Sequence, residues 1–169
     1  MRIATFNVEN LDELPLDAEY GPTLEERIAV LRPQLERVDA DVLCLQEVHG
    51  QERAGEPRAL LALGALIEGT RYADYAQATT LTTANQPYDV RNLVVLSRFP
   101  ITAARQYRND RVGDLQYRRV TAQPAEDDPV PIRWQRPIQH VELDWDGTTL
   151  HLIDLHLKSK NPTPVPGQH

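Results

Sequence analysis

The chain has 169 residues, of which 41% are hydrophobic and 25% are charged, as is typical of one globular domain or a large part of one. This balance excludes an intrinsically disordered protein, and no apolar run is long enough to span a membrane. The formal net charge of −7 gives little general attraction for a polyanion, so binding of nucleic acid would need local arginines or a bound cation. Because the sequence shows no long apolar leader, we expect a cytoplasmic protein, although a secreted parent protein stays open.

The first predicted elements are a strand, a loop and a helix. Residues 2–8 are typical of a short strand, and residues 10–22 of a loop. Thr23 and Glu26 match a capping box at the start of a helix. Apolar residues then recur on one helical face, namely Leu24, Ile28, Leu31, Leu35 and Val38. Pro33 lies within this pattern and is expected to kink the helix or end its regular part.

The middle of the chain alternates between apolar runs and turns. Residues 41–48 begin with a continuous apolar run, which indicates a strand buried on both faces, and the only cysteine, Cys44, is expected in the core. Residues 57–67 are rich in Leu and Ala and predict a second helix. Two further strands are expected at residues 72–80 and 92–97. One or two more are expected near residues 101–107 and 115–122, followed by a loop at 124–131.

The clearest local signal is a β-hairpin near the end of the chain. Asp146 and Gly147 form a two-residue turn signal between strands predicted at 138–145 and 148–157. Counting back from the turn pairs Trp145 with Thr148, Leu143 with Leu150, and Val141 with Leu152. Asp154 and His156 continue the same face, and residues 161–169 are typical of an irregular tail.

Three polar residues stand at or near the ends of predicted strands. They are Asn7, Glu47 and His156. A charged side chain at the end of a buried strand is costly unless it meets a partner or a cation, and sites form at strand ends in α/β sheets. Each residue also has a structural interpretation, in which Asn7 caps a turn, Glu47 pairs with an arginine, and His156 is structural. Together they indicate a functional site.

Arginine is concentrated in one part of the sequence. Eight arginines lie between residues 98 and 136, at positions Arg98, Arg105, Arg108, Arg111, Arg118, Arg119, Arg133 and Arg136. Two interpretations are open, a solvated loop face and a surface that faces phosphate groups.

Four segments resemble the motifs of the endonuclease/exonuclease/phosphatase superfamily, in the order found there. Residues 4–11, Ala-Thr-Phe-Asn-Val-Glu-Asn-Leu, resemble its opening strand. Residues 39–48 resemble its second strand, which ends in Gln-Glu. Residues 91–101 resemble its strand and turn with Leu-Ser-Arg-x-Pro-Ile, and residues 152–160 resemble its histidine strand.

The resemblance implies a fold, a reaction and a set of site residues. The fold would be half of a four-layer α/β sandwich, with a mixed, mainly antiparallel sheet and flanking helices, over residues 1–160. The reaction would be hydrolysis of phosphodiesters or phosphomonoesters with Mg²⁺, or with Mn²⁺. By motif position, Glu47 and Asn7 would form the metal site, and His156 with Asn7 would act on the scissile phosphate. Lys158 and Arg136 are weaker candidates for phosphate contact, with exposed surface charges as the alternative.

The sequence departs from the family pattern at its end. The family's Asp-x-Asn motif and closing Ser-Asp-His motif would follow the histidine strand, and residues 161–169 supply neither. His169 lies in the predicted tail and is not a substitute. We therefore expect an N-terminal half that is inactive alone. We also expect one sheet whose inner face is covered by the missing half or by a second chain.

Three functions follow from these observations. The first is a metal-dependent phosphodiesterase, most simply a nuclease, in the protein that contains the chain. The second is a lipid or inositol phosphate phosphodiesterase or phosphatase of the same superfamily. The third is a binding module without catalytic activity that lost its catalytic half.

Overall fold

The computed structural model describes residues 1–15, 17, 20–108, 116–118, 123–124, 128–131 and 136–157. Two α-helices are present in this part of the chain, α1 at Leu24–Val38 and α2 at Leu61–Ile67, with a 3₁₀ turn at Arg71–Asp74. The strands in the same ranges are β1 Ile3–Leu11, β2 Val42–Val48, β3 Ala76–Thr79, β4 Asn92–Ser97, β5 Ile101–Tyr107, β6 Gln116–Tyr117, β7 Val130–Pro131, β8 Ile138–Trp145 and β9 Thr148–Asp154.

The strands form two main sheets. The first has the order β1-β2-β4-β3, with β1 parallel to β2 and the other pairs antiparallel. The second has the order β5-β8-β9 and is antiparallel throughout. Strands β6 and β7 form a separate two-residue ladder. Strands β2 and β4 lie in the centre of the first sheet, which explains their nearly continuous apolar sequence.

Two apolar clusters hold the layers together. The first lies between the helices and the first sheet, and includes Leu35, Leu63 and Leu66 from the helical side and Leu43 and Leu45 from β2. The second joins the two sheets, and its members are Val42, Cys44, Ala78, Val95, Val141, Leu143 and Leu152. Alternate residues of β2 thus face opposite clusters, as strand geometry requires. The predicted α/β sandwich class is confirmed.

The expectation of a single sheet with an open inner face is wrong. The chain supplies strands to both sheets, because the β8–β9 hairpin turns Val141, Leu143 and Leu152 onto the first sheet. Part of the inner face nevertheless stays open at the edge strand β1. There Ile3 is 47% exposed, and Thr5 and Asn7 are also exposed.

The predicted helix start is confirmed. The Thr23 hydroxyl accepts from the backbone N–H of Glu26, and the Glu26 carboxylate accepts from the Thr23 N–H at 2.8 Å. The helix continues through Pro33 to Val38, so Pro33 does not end it. Its ring is exposed, and the helix gains its stability from the apolar face that packs in the first cluster.

Several predicted boundaries differ from those observed. Helix α2 begins four residues later than predicted, because the backbone of Ala59 pairs with Gln51 instead. The strand predicted at 72–80 begins with the 3₁₀ turn, since the Tyr72 side chain is buried and its hydroxyl donates to the Leu35 carbonyl. Strand β1 extends to Leu11, into the predicted loop.

The end of the described chain follows the predicted register. All three predicted pairs of the hairpin are present, and Gly147 has the positive φ of +80° that the turn requires. Strand β9 ends at Asp154, before the predicted end. Of the strand predicted at 115–122 only residues 116–118 are described, and the predicted tail at 161–169 lies outside the described residues. Within the described ranges, no helix combines the length and apolar character that a bilayer crossing requires.

Candidate active site

The fold brings Glu47 and His156 together from different sheets. Glu47 is the last but one residue of β2, and His156 follows the end of β9 by two residues. Their closest atoms, Glu47 Oε1 and His156 Nε2, are 3.6 Å apart, and both side chains are mostly buried. Asn7 lies on β1 opposite Gln46, the neighbour of Glu47. Glu47 and His156 therefore meet at one edge of the sandwich, and Asn7 lies within the adjacent strand β1.

An irregularity in β1 and β2 orients Glu47. The β1–β2 register shifts between Asn7 and Leu11, and the β2–β4 register shifts between Leu45 and Val48. Glu47 itself has a positive φ of 65°, which is uncommon for a residue with a side chain. Bulges of this kind re-aim a side chain beside a site, and the strained backbone costs on the order of 1–3 kcal/mol. The backbone N–H of Asn10 donates to Glu47 Oε2 at 3.1 Å and fixes the carboxylate.

Arg27 of α1 supports this irregular backbone. Its guanidinium donates to the carbonyl of Val8, to that of Glu9 at 2.8 Å, and to that of Asn10 at 3.0 Å. Glu9 and Asn10 have positive φ values of 52°, which place them off the regular strand path. One side chain thus holds three consecutive carbonyls of the bulge, as the several donors of a planar guanidinium allow.

The contact with Arg136 determines which ring nitrogen of His156 carries the proton. Arg136 Nη1 contacts His156 Nδ1 and can only donate, so Nδ1 must accept and the proton of a neutral imidazole lies on Nε2. Burial lowers the pKa of His156, and the cationic Arg136 lowers it further, while Glu47 acts in the opposite direction. The imidazole is therefore neutral at pH 7, with its N–H directed towards Glu47.

Asn7 makes a local contact. Its Oδ1 accepts from the backbone N–H of Glu9 at 2.8 Å, and its side chain is exposed. This is the turn-capping interpretation that we gave as the structural alternative. The second lone pair of Oδ1 is compatible with a further contact, so its role at a metal remains a prediction.

Two residues at the site were not singled out from the sequence. Asn10 fixes Glu47 through its backbone, and its Oδ1 accepts from Arg91 Nε at 2.9 Å and lies 3.2 Å from His49 Nε2. Arg91 lowers the pKa of His156, which places its charge within electrostatic reach. Both residues belong to motif segments, but a strand pattern does not reveal contacts between residues that are distant in sequence.

A cleft of about 330 Å³ is lined in part by Arg91 and by Arg136, the residue that contacts His156. The rest of the lining consists of Tyr88, Val90 and Pro137, which are largely apolar, and of Asp89, which carries a carboxylate. Burial lowers the pKa of Arg136, as does the charge of Arg91, so the two guanidiniums repel one another across this space. An anion between them would relieve that repulsion.

Three other described arginines of the 98–136 segment each contact a different side chain. Arg98 pairs with Asp41 at 3.2 Å, Arg105 pairs with Glu142, and Arg108 lies over the ring of Tyr88. Arg111, Arg119 and Arg133 lie outside the described residues, as does the candidate phosphate ligand Lys158.

The donor set at this junction suits a hard cation. Glu47 offers carboxylate oxygens, and the nearby candidate Asn7 offers an amide oxygen. Mg²⁺ prefers oxygen ligands and keeps several waters, so one carboxylate with an amide is a fitting partial set. The residues present are therefore compatible with the cation that the family resemblance implies.

Comparison with known proteins identifies the family. The chain belongs to the Endonuclease/Exonuclease/phosphatase family, whose family model matches residues 4–166. The members that give the family its name hydrolyse phosphoester bonds. No curated protein sequence matches the chain significantly.

Two solved structures share the fold. An endonuclease/exonuclease/phosphatase family protein from Leptotrichia buccalis aligns over 95% of this chain and 56% of its own, with a TM-score of 0.54 and 19% identity. Sphingomyelinase C from Streptomyces griseocarneus aligns over 98% of this chain and 52% of its own, with a TM-score of 0.54 and 18% identity. The chain thus spans a little over half the length of these relatives, and at such identities the likeness concerns the fold alone.

Proposed function

We propose that the protein containing this chain is a metal-dependent phosphodiesterase whose site includes Glu47, His156 and Asn7. The observation that carries the proposal is the 3.6 Å approach of Glu47 to His156 at the junction of the two sheets. A buried acid beside a neutral imidazole, with two arginines close by, suits a doubly or singly charged phosphate better than a neutral substrate.

Each residue has a separate role in this proposal. Glu47, with Asn7, holds Mg²⁺ or Mn²⁺, and the bound cation supplies charge to stabilise the phosphoryl oxygens. His156 donates its Nε2 proton in a hydrogen bond to a phosphate oxygen, and the Arg136 contact keeps that tautomer in place. Arg136 and Lys158 are proposed phosphate contacts, and Arg91 is added to them because it lines the same cleft.

The proposed substrate is a nucleic acid. Arg91 and Arg136 line the same cleft, and their two guanidiniums suit contact with a phosphate backbone. The net charge of −7 provides no attraction over the whole surface, so binding would depend on this cleft and the cation. A lipid phosphodiesterase is the second candidate, because a sphingomyelinase C is among the solved structures that share the fold.

Activity would require residues beyond those of this chain. The Asp-x-Asn and Ser-Asp-His segments that the family uses for the attacking water and for proton transfer have no counterpart in the sequence. We propose that residues 1–160 are the first half of the domain. A following segment or a second chain would cover the open face at Ile3, Thr5 and Asn7 and would complete the site.

The test is hydrolysis by the protein that contains this chain. DNA, RNA, sphingomyelin, a phosphoinositide and bis(p-nitrophenyl) phosphate are assayed with Mg²⁺, with Mn²⁺ and with EDTA. We expect metal-dependent cleavage of nucleic acid and of the model diester, and a loss of at least about a hundredfold for Glu47→Ala or His156→Ala. Arg37→Ala, an exposed change on α1, serves as the control.

The outcomes separate the three functions. Cleavage of sphingomyelin or of the phosphoinositide alone would favour the lipid enzyme over the nuclease. Wild-type rates in both site variants would remove Glu47 and His156 from the mechanism. Absence of hydrolysis under every metal would favour the binding module and would contradict the proposal.

A further inference from the structure

A second group of metal-ligating side chains lies on the outer face of the second sheet, away from Glu47. His140 and Glu142 are two residues apart on β8 and therefore point to the same side of the sheet. His151 on β9 is the direct cross-strand partner of Glu142. The opposite face of these strands is the one that carries Val141 and Leu152 into the core. His140, Glu142 and His151 are called the β8–β9 cluster below.

The ligand atoms of the β8–β9 cluster are already close. His140 Nε2 and His151 Nδ1 are 3.0 Å apart, and His151 Nδ1 is 3.9 Å from Glu142 Oε1. All three ligand atoms lie within 4.8 Å of one another. Zinc bound at about 2.0–2.1 Å in tetrahedral geometry places its ligand atoms about 3.3 Å apart, so side-chain shifts of about an ångström or two would suffice.

The ligand types specify the class of cation. Two imidazole nitrogens and one carboxylate form the three-protein-ligand set that leaves a fourth position for water in open zinc sites. Imidazole suits Zn²⁺ and its neighbours among the transition metals, whereas Mg²⁺ takes oxygen ligands. The cluster therefore differs in chemistry from the oxygen donors at Glu47. The partial exposure of His151, whose side chain is 59% accessible, leaves an entry path from solvent.

Arg105 of β5 competes for the carboxylate. Its Nη1 donates to Glu142 Oε1, the atom that also faces His151. This hydrogen bond holds the pKa of Glu142 below its ordinary value. A cation that binds the cluster must displace the guanidinium, which makes removal of Arg105 an informative variant.

We propose that His140, Glu142 and His151 form a binding site for Zn²⁺ or a similar transition-metal ion, separate from the candidate active site. The ion would link β8 to β9 across the ladder. It would thereby stabilise the hairpin that leads to His156, since binding to the folded state alone raises stability.

Calorimetric titration of the chain with Zn²⁺ tests the site. Compared with the wild type, His140→Gln and His151→Gln are each expected to weaken binding at least about tenfold, since each removes one of three ligands. Arg105→Gln is expected to tighten binding, because it frees Glu142. The control variants Glu47→Gln and His169→Gln, which alter the candidate active site and a histidine outside the cluster, are expected to keep this binding event.

Thermal unfolding provides a second measurement that is independent of heats of binding. A Zn²⁺ concentration about a hundred times the Kd is expected to raise the Tm of the wild type by about 5 °C or more. The same addition should not raise the Tm of the double variant with His140→Gln and His151→Gln. Circular dichroism without metal checks that this variant is folded, which the surface position of its side chains favours.

Three results would overturn the proposal. One is an absence of Zn²⁺ binding by the wild type up to a Zn²⁺ concentration of about 1 mM, because a site with three protein ligands is expected to bind more tightly than that. Another is unchanged affinity in both histidine variants. The last is an equal loss of the same binding event in Glu47→Gln, which would assign the ion to the candidate active site. Each result leaves the proposed phosphodiesterase activity unaffected, since that activity is measured with Mg²⁺ or Mn²⁺.

Discussion

At the scale of single residues, Asp154 is a carboxylic acid buried in the core. It is 5% exposed, and burial raises the pKa of its carboxyl from 3.8 to about 6. Its Oδ1 accepts from Gln46 Nε2 at 3.1 Å, while Oδ2 has no hydrogen-bond partner among the described residues. The side chain of Gln139, its cross-strand partner, is likewise buried without a partner in that part of the chain.

Asp154 should make stability depend on pH in a defined direction. Because the folded pKa lies above the unfolded one, the folded state binds the extra proton, and stability falls as pH rises from about 4 to about 6. Asp154→Asn should remove this loss. Urea unfolding should therefore find the variant about 2–3 kcal/mol more stable than wild type at pH 8, following from about two pKa units, and nearly equal at pH 4. A variant that is less stable than wild type at pH 8 would contradict the inference that ionised Asp154 destabilises the fold.

Some residues of the candidate site could be predicted from the sequence, and others could not. Glu47 and His156 could be predicted because each is a polar residue at the end of an apolar strand, a pattern visible in the sequence. Arg91 and Asn10 could not, because their contact joins segments that are far apart in the sequence. The positive φ of Glu47 was equally hidden, since it results from register shifts on both sides of β2.

At the scale of secondary structure, the bulge in β1 depends on Arg27 of α1. Replacing Arg27 by Lys keeps the charge but leaves one donor group for three carbonyls. We expect Arg27→Lys to lower the free energy of unfolding by about 1–3 kcal/mol, the range for hydrogen bonds to a charged group. Urea unfolding measures this, with Arg37→Lys on the exposed side of α1 as the matched control. Equal effects of the two changes would mean that Arg27 does not hold the bulge.

Elements governed by local rules were predictable. The capping box fixed the start of α1, and the Asp-Gly turn fixed the register of β8 and β9. Elements governed by tertiary contacts were not. Helix α2 begins later than predicted because Ala59 pairs with Gln51. The predicted strand at 72–80 begins with a 3₁₀ turn because the side chain of Tyr72 is buried.

At the scale of the whole molecule, the packing of two sheets brings Glu47 and His156 together at the candidate site. Glu47 comes from the first sheet and His156 from the segment that follows the second, and the cluster around Val95 and Leu152 holds the sheets together. The family and the α/β class could be predicted from the sequence motifs. The division of one chain between two sheets could not, because strand periodicity specifies which face is buried but not the partner that covers it.

The central claim is that Glu47 and His156 act as one unit on a phosphodiester. The most direct measurement compares Mg²⁺-dependent hydrolysis of bis(p-nitrophenyl) phosphate by the protein containing this chain, with Glu47→Gln, His156→Gln and both changes. Each single change should lower the rate by at least about a hundredfold, and the double change should cost much less than the product of the two losses. Single variants with wild-type rates, or a double variant whose loss equals that product, would contradict a shared site.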